Sequence, residues 1–273
     1  MTAETTNVPH LVADLEGRPC VLVPLDHESV LQPRLSSHVY ERVRERLDRD
    51  EAATVAFMDR LRPSLEGPEL DAVPLRSDSP TEPFWNNGYF SGLDARAAHA
   101  VCAELVPNVV LEVGSGHSTK FMRKAIDARG RRTRLVSVDP APRAEIDLLC
   151  DEVVRSPVQA LDPELFSALE PGDVLFWDGS HLALNGADAV FLFLEVMPRL
   201  RPGVLVHVHD VTLPQEYPND FDGRGYAEQY LLASWLLGNE RDEVVLPAFH
   251  WSSRRGGPGG VSFWLRRGTA AAS

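Results

Sequence analysis

A short loop with two glycines follows an apolar run near the middle of the chain. The run Val109 to Val113 is interrupted only by Glu112, and the loop after it reads Gly114-Ser115-Gly116-His117-Ser118-Thr119. Glycines after a first strand allow a tight turn and a close approach of backbone to ligand, while the following helix presents free N–H groups. A dinucleotide fingerprint would have a third glycine where Thr119 stands. Two glycines alone fit a plain turn as well as a ligand-binding loop.

Two carboxylates near this loop favour the binding of a nucleoside. Glu112 lies inside an apolar run, where an ionised carboxylate is costly unless it meets a donor or a cation. Asp139 ends the next apolar run, roughly 20 residues after the loop, where an acidic side chain can bind ribose hydroxyls. Asp139 also precedes Pro140, so it could simply cap a turn. The two acids taken together indicate a nucleoside site.

Further polar residues follow two later apolar runs. They are Asp178 and His181 after Val174 to Trp177, and His209 and Asp210 after Val204 to Val208. Ligands of open α/β sheets lie outside the carboxyl ends of the strands, so these side chains are expected in one crevice. A histidine with a pKa near neutrality could remove a proton from a reacting group as a general base. His207 is expected to be a hydrogen-bonded core residue.

Short apolar runs alternate with helical patterns along most of the chain. The predicted strands are Val109–Val113, Leu135–Val138, Glu152–Val154, Val174–Trp177, Val204–Val208 and a final antiparallel pair, Glu243–Leu246 and Val261–Leu265. Helices are predicted from an Asp94 N-cap to Leu105, from a Ser118 cap to Gly130, over Ala187–Met197 and over Tyr226–Leu237. This order predicts an α/β fold, a doubly wound, mostly parallel, seven-stranded Rossmann-like sheet with an N-terminal helical extension.

The chain is predicted to divide at residue 83. Residues 1–83 would hold an arm, two short helices between Ser36 and Arg62, and an extended linker that begins at Pro63, because five prolines fall within the next 21 residues. Residues 84–273 would form the sheet domain. The N-terminal helices are expected either to form a homodimer contact or to cap the site.

The motifs resemble those of class I S-adenosylmethionine-dependent methyltransferases. The resemblance rests on Glu112 to Gly116, on Asp139 and on the sequence Asp178-Gly179-Ser180-His181. A narrower similarity, to methyltransferase family 24, rests on Asn87 to Asp94, the glycine loop, His209-Asp210, Pro214, Tyr217-Pro218 and Glu228-Gln229-Tyr230. It covers about residues 84 to 267.

The resemblance implies roles for the matching positions. Gly114 and Gly116 would pass under the methionine part of the cofactor, Glu112 would meet its amino group, and Asp139 would bind both ribose hydroxyls. Residues 156–159 would flank adenine. The predicted cofactor-binding set is Glu112, Gly114, Ser115, Gly116, Ser118, Thr119, Asp139, Gln159 and Asp178. The catalytic set predicted from the strand ends is His181, His209 and Asp210.

A divalent metal is a second expectation at this site. Asp178, His209 and Asp210 correspond to the strand-end ligands of catechol-type O-methyltransferases. His209 stands where that group has a carboxylate, which suits iron, manganese or zinc better than magnesium.

These features predict transfer of the methyl of S-adenosylmethionine to a hydroxyl or amine of a small molecule. Two alternatives stay open. The first is a metal-dependent oxygenase on the same fold, with His181, His209 and one aspartate as a two-histidine, one-carboxylate site. The second is a binding protein without turnover. The segment Tyr217 to Tyr230 is either a substrate wall or a plain connection.

Composition narrows the classes of partner. The chain has 27 basic and 40 acidic residues, a net charge of −13, which argues against nucleic acid and anionic membranes. Three scattered cysteines predict neither a disulfide framework nor a zinc site. We find no signal-peptide pattern and no apolar run of membrane-spanning length, so a cytoplasmic location is expected.

Overall fold

The computed structural model describes residues 34–268, apart from 131 and 222, together with the backbone of two N-terminal strands. Residues 1–35 and 36–273 are separate compact units. In the first unit, β1 (Val12–Leu15) pairs antiparallel with β2 (Arg18–Val21). The second unit contains the helices that follow Ser36 as well as the large sheet.

The large sheet has seven strands, and the predicted fold class is confirmed. The strands are β3 (Val109–Val113), β4 (Arg134–Val138), β5 (Glu152–Val154), β6 (Val174–Trp177), β7 (Leu205–Val208), β8 (Glu243–Pro247) and β9 (Phe263–Arg266). Their order is β5-β4-β3-β6-β7-β9-β8. The first five are parallel, and β9 runs antiparallel to both β7 and β8.

Helices cover both faces of this sheet. They are α1 (Glu41–Arg49), α2 (Glu51–Leu65), α3 (Pro68–Asp71), α4 (Gly92–Leu105), α5 (His117–Ala128), α6 (Asp188–Phe191), α7 (Glu228–Gly238) and α8 (Ala248–Arg255), with a π-helical turn, Leu192–Val196, continuing α6. One apolar core contains residues of α2, α4 and α5, and a second contains residues of α1, α6 and α7. Burial on both faces explains why the parallel strands are continuous apolar runs.

The strand register brings the predicted site residues to one edge. Val113 pairs with both Val138 and Trp177, and Trp177 pairs with Val208. The residues that follow these four positions are Gly114, Asp139, Asp178 and His209. They therefore leave the sheet at the same level, which is the geometry that the sequence predicted from strand ends.

The proline-rich segment differs from its prediction. Pro63 lies inside α2, which continues to Leu65, and Pro68 begins α3. The prediction of an extended linker from Pro63 was wrong for this part. Leu61 and Leu65 are buried against α4, so packing outweighs the hydrogen bond that Pro63 cannot make. Pro68 occupies a first helical position, where the missing N–H costs nothing.

Asp94 is not the N-cap of α4, as was predicted. The cap is Ser91, and Asp94 lies in the first turn with 5% of its surface exposed. Its carboxylate accepts hydrogen bonds from the backbone N–H groups of Val261 and Ser262, at 2.8–3.0 Å. The Asp94 carboxylate therefore bonds to backbone that is distant in sequence and does not cap the N-terminus of its own helix.

Ser118 is likewise not a cap. The helix α5 begins at His117 after Gly116, and the hydroxyl of Ser118 donates to Glu112.

His207 is confirmed as a core residue. Its side chain is fully buried, Nε2 lies 2.8 Å from the Ser262 hydroxyl, and its ring stacks on Phe176 at 3.7 Å. Burial lowers the pKa of His207 well below its ordinary value, so the imidazole is neutral.

No helix in the described part of the chain is long and apolar enough to cross a membrane.

Candidate functional site

Glu112 lies beneath the glycine loop and holds the start of α5. Its side chain is fully buried, and its two oxygens accept hydrogen bonds of 2.5 Å from the hydroxyls of Ser118 and Thr119. Burial raises the pKa of Glu112 to about 7, although the hydroxyl donors oppose that rise. Glu112, the predicted partner of the cofactor's amino group, therefore forms a closed group with Ser118 and Thr119 under the loop.

The two glycines of the loop serve different purposes. Gly114 has a φ of +77°, and a Cβ placed there would lie 1.7 Å from the carbonyl oxygen of Asp178. Gly116 has extended backbone, and a Cβ there would have no atom within 4 Å. Gly114 is required by the fold, whereas Gly116 borders open space where a ligand could approach the backbone.

Asp139 joins the end of β4 to the loop. One of its carboxylate oxygens accepts a 2.8 Å hydrogen bond from the N–H of Ser115, and the other accepts one of the same length from Ala141. The bond to Ala141 is the turn cap that the Asp-Pro sequence suggested. The bond to Ser115 places the same carboxylate beside the glycine loop. The turn-cap interpretation of Asp139 is thus confirmed, and ribose binding by this half-buried carboxylate stays a prediction.

His181 lies among three carboxylates. Nδ1 is 2.9 Å from Glu228, while Nε2 is 3.3 Å from Asp178 and 3.4 Å from Asp210. Burial alone would lower the pKa of His181, but the carboxylates of Asp178 and Glu228 raise it well above its ordinary value. The imidazole is therefore held as a cation in the ligand-free site.

His209 has a similar environment on the next strand. Nδ1 lies 3.5 Å from Asp178 and 3.6 Å from Asp210, and Nε2 lies 3.6 Å from Asp94. Burial opposes protonation here too, but the carboxylates, Asp178 foremost, raise the pKa of His209 well above its ordinary value. In return, the two imidazoles outweigh burial and keep the pKa of Asp178 below its usual range.

The carboxylates face outward and the imidazoles lie behind them. The side chains of Asp178 and Asp210 are 28% and 16% exposed, whereas those of His181 and His209 are 5% exposed. A ligand entering this crevice would therefore meet carboxylate oxygens first. A general base role for His181 or His209 stays a prediction, because a protonated imidazole must lose its proton before it can accept another.

Sequence reasoning gave no role in the site to two carboxylates behind the histidines. Asp94 comes from α4 and Glu228 from α7, and their side chains are 7% and 1% exposed. Both residues lie in motif runs that carry the family resemblance, which was the available signal. Their contacts with the histidines depend on how α4 and α7 pack, and no spacing in the sequence encodes that.

The structure does not support the predicted metal set. Within residues 34–268, gaps excepted, no group of three or more His, Cys, Asp or Glu side chains is arranged to hold a metal ion. His209 offers no free lone pair to a metal while it is protonated between Asp178, Asp210 and Asp94. We therefore derive no step through a metal, and the two-histidine iron site of the oxygenase alternative loses its support.

Among the residues predicted to bind the cofactor, Gln159 has contacts away from the glycine loop. It is exposed in a short turn, Val158–Ala160, and its amide donates to the carbonyl of Gly186 at 3.3 Å. The structure shows no hydrogen bond from it to the glycine loop, so an adenine contact stays a prediction.

The segment after β7 packs directly on the site. The carbonyl of His181 accepts hydrogen bonds from the N–H groups of Ala227 and Glu228, at 2.8 and 3.1 Å. The ring of Tyr226 lies 4.5 Å from the His181 ring. These contacts place the segment beside the site, and its role as a substrate wall stays a prediction.

The loop geometry predicts opposite outcomes for two glycine substitutions. We expect Gly114→Ala to destabilise the fold by at least about 2 kcal/mol, because of its positive φ and its contact with the Asp178 backbone. Gly116→Ala should stay within about 1 kcal/mol of the parent. Urea unfolding measures both, and equal stabilities would contradict this account of the loop.

The raised pKa of Glu112 predicts that the stability of the fold depends on pH in a particular direction. Its pKa rises from 4.5 to about 7 on folding, so its contribution is full below about pH 4.5 and is lost as pH rises through 7. Relative to the parent, Glu112→Gln should gain about 3 kcal/mol of unfolding free energy between pH 4.5 and pH 8. The exposed Glu66→Gln serves as a control. Parallel curves for parent and Glu112→Gln would refute the assignment.

A known protein family matches the part of the chain that contains the glycine loop and the strand-end residues. Residues 111–211 match the model of methyltransferase family 24, described as a methyltransferase domain. No curated protein matches the chain.

Comparison with solved structures matches several methyltransferases. The O-methyltransferase TomG of Streptomyces achromogenes, in complex with S-adenosylmethionine, is 17% identical with a TM-score of 0.43, over 82% of this chain and 98% of its own. An O-methyltransferase of Bacillus cereus, in complex with S-adenosylhomocysteine, is 14% identical with a TM-score of 0.44, over 87% and 94%. A Podospora anserina methyltransferase is 16% identical with a TM-score of 0.42, over 88% and 100%. With TM-scores below 0.5, these three matches carry no argument about this chain. The family match over residues 111–211 confirms the predicted resemblance: the chain is similar to methyltransferase family 24, among the class I S-adenosylmethionine-dependent methyltransferases.

Proposed function

We propose that this chain transfers the methyl group of S-adenosylmethionine to a hydroxyl or amine of a small molecule. The observation that carries the proposal is the contact between two groups of residues. The glycine loop with Asp139 is suited to a nucleoside, and it touches the carboxylate crevice where Gly114 lies against Asp178. A cofactor on the loop would thus reach the crevice without any rearrangement of the backbone.

The loop residues fit this cofactor. Gly116 leaves open space at the start of α5, and the reachable carboxylate of Asp139 can accept hydrogen bonds from ribose hydroxyls. Glu112 acts from below, because its bonds to Ser118 and Thr119 fix the first turn of the helix. When bound, S-adenosylmethionine supplies an electrophilic methyl group on a positively charged sulfur. Carboxylates near that position stabilise the positive charge.

The exposed carboxylates of Asp178 and Asp210 are suited to bind the acceptor. An acceptor O–H or N–H would donate a hydrogen bond to one of these carboxylates. This bond would orient the lone pair of the acceptor oxygen or nitrogen toward the methyl group. That proton becomes strongly acidic as the new bond to carbon forms, so even a carboxylate of low pKa can take it. His181 and His209 would then act through the aspartates, by holding them in place and by keeping them ionised between reactions.

Cofactor binding tests this proposal. We expect the protein to bind S-adenosylmethionine and S-adenosylhomocysteine in calorimetry, and Asp139→Ala to weaken both by about tenfold or more, since a hydrogen bond to a charged group is lost. Asp71→Asn, an exposed carboxylate change on α3, is the matched control and should bind as the parent does.

Two results would separate the alternatives. Absence of binding by the folded parent protein would sink the methyltransferase proposal. Tight binding together with no methyl transfer to any compound of a broad hydroxyl and amine library would favour the non-catalytic binding protein instead.

A further inference from the structure

Arg224 lies on two aromatic rings directly beside the carboxylate crevice. Its guanidinium carbon is 4.5 Å from the centre of the Phe221 ring and 5.6 Å from that of the Tyr226 ring. The Tyr226 ring is in turn 4.5 Å from the ring of His181. A guanidinium over ring faces is held in position by cation–π attraction, while its N–H groups stay available as donors. Arg224 is therefore a positioned cation at the border of the site.

No carboxylate neutralises this cation within the described part of the chain. Arg224 is exposed, and its side chain takes part in no ion pair and no hydrogen bond with a described residue. Two other exposed arginines of this acidic chain do contact carboxylates, since Arg44 contacts Glu41 and Arg254 contacts Asp48. The donors of Arg224 are thus available to an anionic group of a ligand, which the planar guanidinium fork binds well.

The rings beneath Arg224 belong to an aromatic cluster made of Tyr217, Phe221 and Tyr226. Their centres lie 5.3–6.1 Å apart. Tyr217 is buried, and its hydroxyl accepts a 3.1 Å hydrogen bond from the N–H of Gln229, so the cluster is anchored on α7. Phe221 and Tyr226 are half-buried and keep part of their surface exposed. Such a surface favours a flat ligand, because pairs of aromatic rings are stabilised beyond the area that they bury.

Charge determines how an acceptor would lie on this cluster. Asp178 and Asp210 face the crevice as exposed carboxylates, so they accept a hydrogen bond from an O–H or N–H group and repel an anion. Arg224 has the opposite preference. The ring of Tyr226 contacts both His181 and Arg224, so the two places are neighbours. An acceptor that carries its hydroxyl or amine at one end of a ring and an anion at the other end satisfies both.

We propose that the methyl acceptor is an aromatic acid and that Arg224 binds its carboxylate. The aromatic cluster would pack against the ring of the acid, and the reacting hydroxyl or amine would point toward Asp178 and Asp210. This inference rests on the proposed function, and the methyl transfer itself proceeds as described above. Arg224 is then a specificity-determining residue, because it favours the acid over neutral molecules of the same shape.

The binding of matched pairs of compounds provides the test. The probes are the meta and para isomers of hydroxybenzoate and aminobenzoate. Each is compared with its primary amide, which keeps the ring and the hydroxyl or amine but carries no charge. Calorimetry is carried out on the parent protein saturated with S-adenosylhomocysteine. We expect at least one acid to bind about tenfold or more tightly than its amide, the gain typical of one charge-assisted hydrogen bond. That acid should also accept the methyl group of S-adenosylmethionine.

Two substitutions at Arg224 assign this preference to its side chain. Arg224→Gln should abolish the preference for the acid and leave the affinity for the amide unchanged. Arg224→Lys should keep part of the preference, since the charge is retained and the planar fork is lost. The matched control is Arg60→Gln, at an exposed arginine of α2, which should keep the full preference. Each variant should bind S-adenosylhomocysteine and unfold as the parent does, which shows that the fold and the cofactor site are intact.

Each contrary outcome overturns a defined part of the account. Equal binding of acids and amides by the parent overturns the preference for an anion, and a preference that survives in Arg224→Gln overturns the role of Arg224. If the parent saturated with S-adenosylhomocysteine binds none of the probes, the aromatic acid is the wrong class of acceptor. Failure of the parent to bind S-adenosylhomocysteine at all overturns the proposed function itself, which is a different result from any of these.

Discussion

The site depends on one close approach of backbone to backbone. The chain leaves β3 at Gly114 and passes against the carbonyl of Asp178 at the end of β6, and the N–H of Asp178 in turn donates to Val113 at 2.8 Å. No side chain fits between the two segments. This contact fixes the glycine loop, which is suited to a nucleoside, relative to the carboxylates that are suited to an acceptor. Methyl transfer needs such a fixed relation, because the acceptor must lie in line with the sulfur–carbon bond.

Charge is arranged in layers behind that contact. Asp178 and Asp210 face the crevice, His181 and His209 lie behind them, and buried carboxylates contact each histidine from the far side. The cluster contains four carboxyl groups and two imidazoles, so groups that can carry negative charge outnumber those that can carry positive charge. A cationic cofactor is favoured near such a cluster, whereas an anionic nucleotide would be repelled. The acidic excess of the whole chain argued only against nucleic acid and anionic membranes as partners. Within this cluster, acidic groups favour a specific kind of ligand, a cationic cofactor.

Strand ends were predictable from the sequence, and contacts between helices were not. The positions of four site residues could be inferred because these residues lie in or directly after apolar runs that a parallel sheet aligns. They are Glu112, Asp139, Asp178 and His209, and period and spacing predicted that they share one edge of the sheet.

Residues on helices escaped that reasoning. Asp94 was predicted to cap α4, but it contacts His209 and the backbone of Ser262, just before β9. Glu228, which contacts His181, had no predicted role. Their significance lies in which neighbour each side chain meets or lacks, and this depends on helix packing. Pro63 shows the same limit, because buried leucines on either side of it keep α2 intact.

The central claim is that a nucleoside cofactor lies over the glycine loop and bonds to Asp139. Amide NMR with S-adenosylhomocysteine tests it most directly, since the N–H groups of Ser115 and Ala141 both donate to that carboxylate. The account predicts that the amide signals of Ser115, Gly116 and Ala141 shift on titration and that those of Ser115 and Ala141 shift less in Asp139→Asn. Saturable binding that leaves these three signals in place while shifting others would contradict it.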